Sequence, residues 1–382
     1  MENTPSNIRQ LNTKHVLKTI IENEEVSRTF ISKETGLTKP SVSDIVSNLI
    51  ANKLVIEKGR GSASPHGGRR PIILQFNPNH ASIISLDVSP DTLTYCISNL
   101  DGTVATLNSS PLNGDDNQSI LNQVKETIYQ LFATHSQESP VKAISIAIHG
   151  MTLDNVIIYT PNYILDQIDL YQILFEEFKL PIFINNEANL SALGAYTFGD
   201  LPESFINISI HYGVGAGIIE NGHLITGSYG LVGEIGHSIV VPFGKKCSCG
   251  NRGCLEQYVS NPSLMGELAE HSIDIHNIRK EWLENTVCRD ILTTHFHYLG
   301  IAINNLITMI GPELVTIDSE ILRKVPELLE AVNSVIDNKY VKRTKIKSSN
   351  LKFNSTILGC IAFASRQLLN LDTIKFKSFL RE

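Results

Sequence analysis

With 382 residues, 42% of them hydrophobic and 19% charged, the chain has the make-up of an ordinary folded protein and length for two or three domains, which excludes fibrous and intrinsically disordered classes. It contains no run of 18 apolar residues, and MENTPSNIRQ lacks the apolar core of a signal peptide, so a cytoplasmic protein with no membrane partner is expected. The net charge of −7 is uneven: residues 1–80 hold eleven Lys plus Arg against seven Asp plus Glu, and the rest 21 against 32, so only a basic N-terminal head is expected to meet a polyanion.

The head reads as three helices and a hairpin. Thr13 to Ile21 places Val16, Leu17, Ile20 and Ile21 on one face. Ser27 can N-cap a second helix, RTFISKET, which Gly36 stops. Thr38 can cap a third, with Pro40 in its first turn, where a missing N–H costs nothing. In that helix Val42, Ile45, Val46, Leu49 and Ile50 form a buried stripe, while Lys39, Ser41, Ser43, Ser47 and Asn48 make a polar face suited to a major groove. Two apolar strands follow in LVIEKGRGSASPHGGRRPIILQF, joined by a basic, glycine-rich loop. The whole has the outline of a winged helix-turn-helix over residues 1–78. Gly59 to Pro71 would be the wing, with Arg60, Arg69 and Arg70 reaching the phosphates or minor groove of double-stranded DNA. A linker with incidental arginines is the competing reading of that loop.

Residues 79–382 alternate short β-rich runs with helices. ASIISLDV, LTYCISNL, AISIAIHG and PIFINN read as strands, SILNQVKETIYQLFATH and DQIDLYQILFEEF as helices. An α/β body with a mainly parallel central sheet, in two lobes around a cleft, is expected.

The densest chemistry lies in GEIGHSIVVPFGKKCSCGNRGCLEQYVS, from Gly233 to Ser260. His237, Cys247, Cys249 and Cys254 fall within 18 residues, and three thiolates with one imidazole make a closed tetrahedral zinc set of structural type. Glycines 244, 250 and 253 let the backbone fold back so that the ligands converge. In a reducing compartment such a cluster favours a metal over a disulfide. Cys96, Cys288 and Cys360, in apolar-rich contexts, are most simply buried small hydrophobes.

This stretch resembles the signature of the ROK family (repressors, open reading frames, kinases): ExGH followed by CxCGxxGCxE. The resemblance extends over essentially the whole chain and implies the actin-like ATPase fold of ROK sugar kinases. It also implies that the zinc is structural and that Glu234 and His237 hold sugar hydroxyls as well. Asn185-Asn186-Glu187-Ala188-Asn189 is similar to the family's N-D-A-N segment, with Glu187 where the kinases carry an aspartate base; Asn162, after Pro161, matches the family's P-N contact. The implied sugar site is therefore Asn162, Asn186, Glu187, Glu234, His237 and Glu256, with Asn189 as a cap or brace. The head, with its GGRRP ending, resembles the DNA-binding domain of ROK repressors, which the kinases lack.

The phosphate-holding segments depart from the family pattern. DxGGTK is replaced by Asp87-Val88-Ser89-Pro90-Asp91-Thr92, which loses both glycines, gains a proline without an N–H and adds a carboxylate. G-T-G-x-G-x-G is replaced by His211-Tyr212-Gly213-Val214-Gly215-Ala216-Gly217, and PExxxxGG by Pro312-Glu313 with Asp318-Ser319 at the glycine positions. A cleft that closes on a monosaccharide or sugar phosphate but not on ATP is expected. The resemblance, nearest to xylose-type repressors with a glucose or N-acetylglucosamine responder as the alternatives, implies a sugar-responsive repressor that binds a palindromic operator as a homodimer or dimer of dimers. The alternative is a working ATP-dependent sugar kinase that also binds DNA, with Glu187 as general base. Docking to a sugar transporter through an amphipathic segment, Arg366 to Arg381, is weighed against a terminal helix packed on its own domain, the simpler reading.

Overall fold

The computed structural model describes residues 5–23, 25–61, 70–103, 106–112, 116–135, 139–161, 163–337, 339, 343–349 and 354–376. The head comprises α1 (Pro5–Asn23), α2 (Arg28–Thr35), α3 (Lys39–Ala51) and an antiparallel pair, β1 (Val55–Arg60) and β2 (Ile72–Phe76). Ser27 caps α2 by accepting the Phe30 N–H, Gly36 ends it at φ 69°, and Thr38 caps α3 by accepting the Ser41 N–H. The expected stripes are buried, from Val16 to Ile21 on α1 and from Val42 to Leu49 on α3, except that Ile50, near the end of α3, is only half-buried. Helix α1 starts eight residues before Thr13, the expected first residue, because its opening turns carry polar residues with Ile8 and Leu11 left exposed, so no apolar period marks them.

After a single turn at Pro78–His80, the first lobe runs β3 (Ser82–Val88), β4 (Thr92–Asn99), β5 (Asn108–Pro111), α4 (Asn117–Thr134), β6 (Val141–Ile148), β7 (Met151–Leu153), β8 (Val156–Tyr159), α5 (Leu170–Phe178), β9 (Ile182–Asn186) and α6 (Glu187–Phe198). The second runs β10 (Phe205–Ile210), β11 (Val214–Glu220), β12 (His223–Leu224), α7 (Glu256–Val259), α8 (Asn261–Glu270), α9 (Ile278–Glu284), α10 (Thr286–Ile310), β13 (Leu314–Ser319), α11 (Glu320–Lys324), α12 (Leu328–Ser334), β14 (Lys345–Ser348) and α13 (Ser355–Leu369).

The expected central sheet is in fact two sheets, one per lobe, built alike: β5-β4-β3-β6-β9 and β12-β11-β10-β13-β14. In each, three strands form an antiparallel meander and two more add in parallel. The tight turns after β3 and β10 force antiparallel pairing, and only the longer crossovers allow parallel strands. Between the sheets, α6 and α13 cross with their backbones touching. A Cβ on Gly359 would lie 1.9 Å from the Leu190 carbonyl oxygen, and one on Gly194 2.3 Å from that of Ser355. Both helices are buried nearly all round, as expected of an element sandwiched between layers.

Asn370, at φ 52° and ψ 44°, ends α13, so no helix continues through the amphipathic segment; residues 371–376 run as an extended strap, and 377–381 lie outside the described residues. The strap reaches the head. The Phe376 ring sits 6.1 Å from Phe76 and 5.5 Å from Phe198, and Lys18 Nζ donates to Thr373 Oγ1 at 2.6 Å. Among the described residues, no helix is long and apolar enough to cross a membrane.

Candidate functional site

The cysteine loop folds into a knuckle fixed by its glycines. Gly253, at φ +85°, would place a Cβ 1.7 Å from the Val241 carbonyl oxygen, so only glycine fits there. Isolated bridges Lys246↔Arg252 and Ile239↔Cys254 close the turn. The ligand atoms of His237, Cys247, Cys249 and Cys254 lie within 4.8 Å of one another, so these four could hold a metal ion. His237 Nδ1 is 3.6 Å from Cys247 Sγ, and the sulfurs of Cys249 and Cys254 are 3.7 Å apart. A tetrahedral ion with metal–sulfur bonds of about 2.3 Å and metal–nitrogen bonds of about 2.0 Å spaces neighbouring ligands roughly 3.5–3.8 Å apart, so the residues fit such an ion. The ring orientation also divides the tasks of His237. Nδ1 faces the thiols, and Nε2 points to Glu234 Oε2 at 3.8 Å.

That second nitrogen opens on a pocket between the lobes. Asn186, Glu187, Glu234, His237 and Glu256 all line it, together with Gly150, Tyr159 and Pro161; Asn162 lies outside the described residues. The carboxyl end of β9 delivers Asn186 and Glu187 to the first turn of α6, a position where ligands gather in α/β sheets. Glu187 is 8% exposed, and its Oε1 accepts from Ser209 Oγ at 2.6 Å and Thr356 Oγ1 at 3.2 Å. Burial, with a smaller push from the Glu256 carboxylate, holds the Glu234 carboxyl above the usual range, against the pull of His237. Glu256 Oε2 accepts the Val214 N–H at 3.3 Å.

Asn186, besides lining the pocket, takes the capping role expected of Asn189. Asn186 caps α6, its Oδ1 accepting the Asn189 N–H at 3.1 Å, and its Nδ2 donates to the Gly150 carbonyl at 2.8 Å. Asn189 also lines the pocket, and its buried Oδ1 has no partner among the described residues. Sequence reasoning also missed His149, which lines both this pocket and the neighbouring cavity and pairs through Nε2 with Asp87 Oδ1 at 2.9 Å. The available signal was its place directly after a buried parallel strand.

The neighbouring cavity lies where the three altered segments meet. Asp87, Asp91, His211, Tyr212, Asp318 and Arg323 are among its lining residues. The β3–β4 turn consumes its own donors: the Ser89 N–H goes to the Thr92 carbonyl at 3.0 Å, and the Thr92 N–H to Ser89 Oγ at 3.1 Å. Tyr212, carried on the β10–β11 turn of the other lobe, lines this cavity with Asp91; burial first, and then the neighbouring Asp91 carboxylate, raise its pKa to about 12. Asp318 accepts from Ser355 Oγ at 2.7 Å and pairs with Arg323. Burial works against its charge, but His211, Ser355 and Arg323 together hold its carboxyl below the usual range. The walls thus present carboxylates where a phosphate grip would need free N–H groups.

On the head, Lys39, Ser41, Ser43, Ser47 and Asn48 are exposed on α3, and Arg60 and Arg70 are exposed at the two ends of the hairpin loop; Arg69 lies outside the described residues. Asn48 also lines a groove between α1, α3 and the end of α13. Asp44 shares this face, held by Arg9 at 2.8 Å.

Fold and site together define a two-lobed protein of the actin-like ATPase class, with an N-terminal helical head and a Cys3His knuckle beside its cleft. The ROK family profile matches residues 83–367, and the chain belongs to the ROK family. It is 31% identical over 379 residues to the xylose repressor of Bacillus subtilis, covering 96% of this chain and 98% of that one. To the DNA-binding transcriptional dual regulator NagC of Escherichia coli it is 28% identical, covering 95% and 94%. A solved ROK family transcriptional regulator, a homologue of the E. coli Mlc protein, matches with a TM-score of 0.82 at 24% identity over 95% of this chain and 97% of its own. A ROK family glucokinase from Streptomyces griseus, solved with glucose and AMPPNP, matches with a TM-score of 0.65 at 20% identity over 75% of this chain and 100% of its own.

Proposed function

We propose that this chain is a sugar-responsive transcriptional repressor of carbohydrate-utilisation genes. In this reading residues 1–78 form a winged helix-turn-helix domain that binds a palindromic operator as a homodimer. Residues 79–382 bind a monosaccharide without phosphorylating it, and a structural zinc sits on His237, Cys247, Cys249 and Cys254. The supporting observation is the contrast between the two halves of the cleft. One half offers Glu187, Asn189, Glu234, His237 and Glu256 around a pocket suited to vicinal hydroxyls. In the other, Asp91 and Tyr212 face the same space between the lobes where a phosphate grip would stand, and the β3–β4 turn spends its N–H groups internally. The relatives at about 30% identity carry the name xylose repressor, which makes D-xylose the first sugar to test, ahead of glucose and N-acetylglucosamine.

Transmission to the head follows from α13. Its second residue, Thr356, bonds to Glu187 in the pocket, and its far end leads into Asp372 and Thr373, which meet Lys14 and Lys18 on α1. Fifteen helical residues span roughly 22 Å, so closure on a sugar at one end is delivered as a shift at the head. A tenfold change in operator affinity needs only about 1.4 kcal/mol of coupling.

The test is a thermal-shift screen of monosaccharides and sugar phosphates with and without ATP, followed by a coupled assay for ADP release. Stabilisation by a sugar alone, with no turnover, is expected. Sugar-dependent ADP release abolished by Glu187→Gln establishes the kinase reading instead, with Glu187, buried beside His211, as the base.

A further inference from the structure

Behind the α6–α13 crossing, away from the sugar pocket, Arg366 lies in a position that its own fold does not satisfy. The residue is 7% exposed, yet it makes no ion pair among the described residues. Nη2 reaches Thr197 Oγ1 only at 3.4 Å, Nε is buried without a partner, and the Tyr196 ring lies 5.4 Å from the guanidinium carbon. The nearby carboxylates are committed elsewhere. Glu203 takes Lys375 at 2.9 Å and the Tyr196 hydroxyl at 2.5 Å, and Asp372 sits 3.7 Å from Lys14. Burial lowers the Arg366 pKa to about 10, which still leaves the group charged at neutral pH. A buried cation without a counter-charge is costly, and proteins ordinarily pair it.

Arg366 lines a cavity of about 280 Å³, floored by Leu193 and Phe363 and edged by His223, Gln367 and Asn370. A cavity of this volume has room for a phosphate group and a few waters. A planar guanidinium grips a tetrahedral or planar oxyanion in fork geometry, and imidazole and amide donors at the rim complete such a site. Asp372, at the edge, is the one opposing charge among the described lining residues, and Lys14 lies beside it. We infer that this cavity is a second ligand site, distinct from the sugar pocket, that binds a small oxyanion through Arg366, with His223, Gln367 and Asn370 at its rim.

The test uses the full-length protein with inorganic phosphate, a pentose phosphate and malonate, each against sodium chloride at matched ionic strength, read by thermal shift and calorimetry. Inorganic phosphate is expected to raise Tm above the chloride reference; a parallel rise with the pentose phosphate or with malonate tells a phosphoester or a carboxylate ligand apart from the free ion. Arg366→Gln is expected to weaken binding by at least about tenfold while leaving the sugar-induced shift in place. Should that variant fold poorly, the double substitution His223→Ala, Gln367→Ala at exposed rim positions carries the same expectation. A selenate-soaked crystal should show its anomalous peak within hydrogen-bond reach of the guanidinium. The site is refuted if none of the three anions acts beyond chloride, or if the response persists in the variants. Neither arm needs DNA, so failure here leaves the repressor reading untouched.

Discussion

Thr356 Oγ1 donates to Glu187 Oε1 at 3.2 Å, and this bond joins the pocket between the lobes to the start of the helix that runs to the head. Glu187 keeps a second and shorter donor in Ser209, at 2.6 Å. Thr356→Val, which removes the hydroxyl at nearly constant shape, should therefore change sugar affinity only a few-fold. The effect of sugar on operator binding should shrink by about tenfold, because the pocket no longer pulls on α13. Operator titrations with and without sugar, followed by fluorescence anisotropy, measure both quantities; equal losses in the two would remove α13 from the coupling route.

His237 links the cysteine cluster and the pocket through its two ring nitrogens, 3.6 Å from Cys247 Sγ on one side and 3.8 Å from Glu234 on the other. Cys249→Ser, or a strong chelator acting on the wild type, should release the metal and weaken sugar binding by about tenfold, since the imidazole loses its fixed tautomer and direction. Metal content by elemental analysis and affinity by calorimetry should fall together. Full metal loss with unchanged sugar affinity would break the link.

The α6–α13 crossing has no room for a side chain at Gly359, where a Cβ would meet the Leu190 carbonyl oxygen at 1.9 Å. Gly359→Ala should destabilise the protein by about 3 kcal/mol, the upper end for an overpacked core. Gly266, in the middle of α8, supplies the contrast, because a Cβ there would meet nothing within 4 Å. Gly266→Ala should gain roughly 0.5–1 kcal/mol. Urea midpoints of the two variants should move in opposite directions.

The pairing of His149 with Asp87 gives stability a pH dependence of predictable sign. Burial opposes protonation of His149, but the Asp87 carboxylate at 2.9 Å, helped by Glu187 and Asp91, more than offsets it and holds the pKa above 6.5. A histidine raised in this way stabilises the fold fully below its unfolded value, and the contribution fades as pH climbs through the folded value. Wild-type stability should accordingly fall as pH rises from about 6.5, and Asp87→Asn should flatten that decline. Denaturation midpoints between about pH 6 and 8.5 show the slope; a variant that keeps the wild-type slope removes this pair as its source.

Ser43 and Ser47 stand exposed on α3, one turn apart, with Ser47 Oγ donating to the Ser43 carbonyl. A carboxylate introduced by Ser43→Glu joins that of Asp44 on the same face and repels DNA phosphates. Operator affinity should drop by at least about tenfold with sugar affinity unchanged. An unaffected operator affinity would move the DNA surface elsewhere.

Local signals of single-residue strength were legible in the sequence. Ser27, Gly36 and Thr38 mark the helix limits of the head because capping is a contact within a few residues. The Cys3His set is legible because its ligands are close along the chain. Contacts between remote segments were not. Asp91 and Tyr212, on turns from different lobes, meet at one cavity, and Asn186 rather than Asn189 caps α6 because its amide is the one that meets the helix N-terminus. The division into two similar sheets follows from strand order, which periodicity does not encode. Asn370 ended a helix that its neighbours' amphipathic pattern would have continued, through a left-handed backbone that asparagine tolerates.

The strap that wedges Phe376 between Phe76 and Phe198 also sets an order of assembly. Phe376 follows Phe76 along the chain only after both lobes, so the flank of the head is sealed only once they have been synthesised. A chain cut short before Phe376 leaves that side of the head open, so the packing of the head vouches for the presence of the lobes behind it.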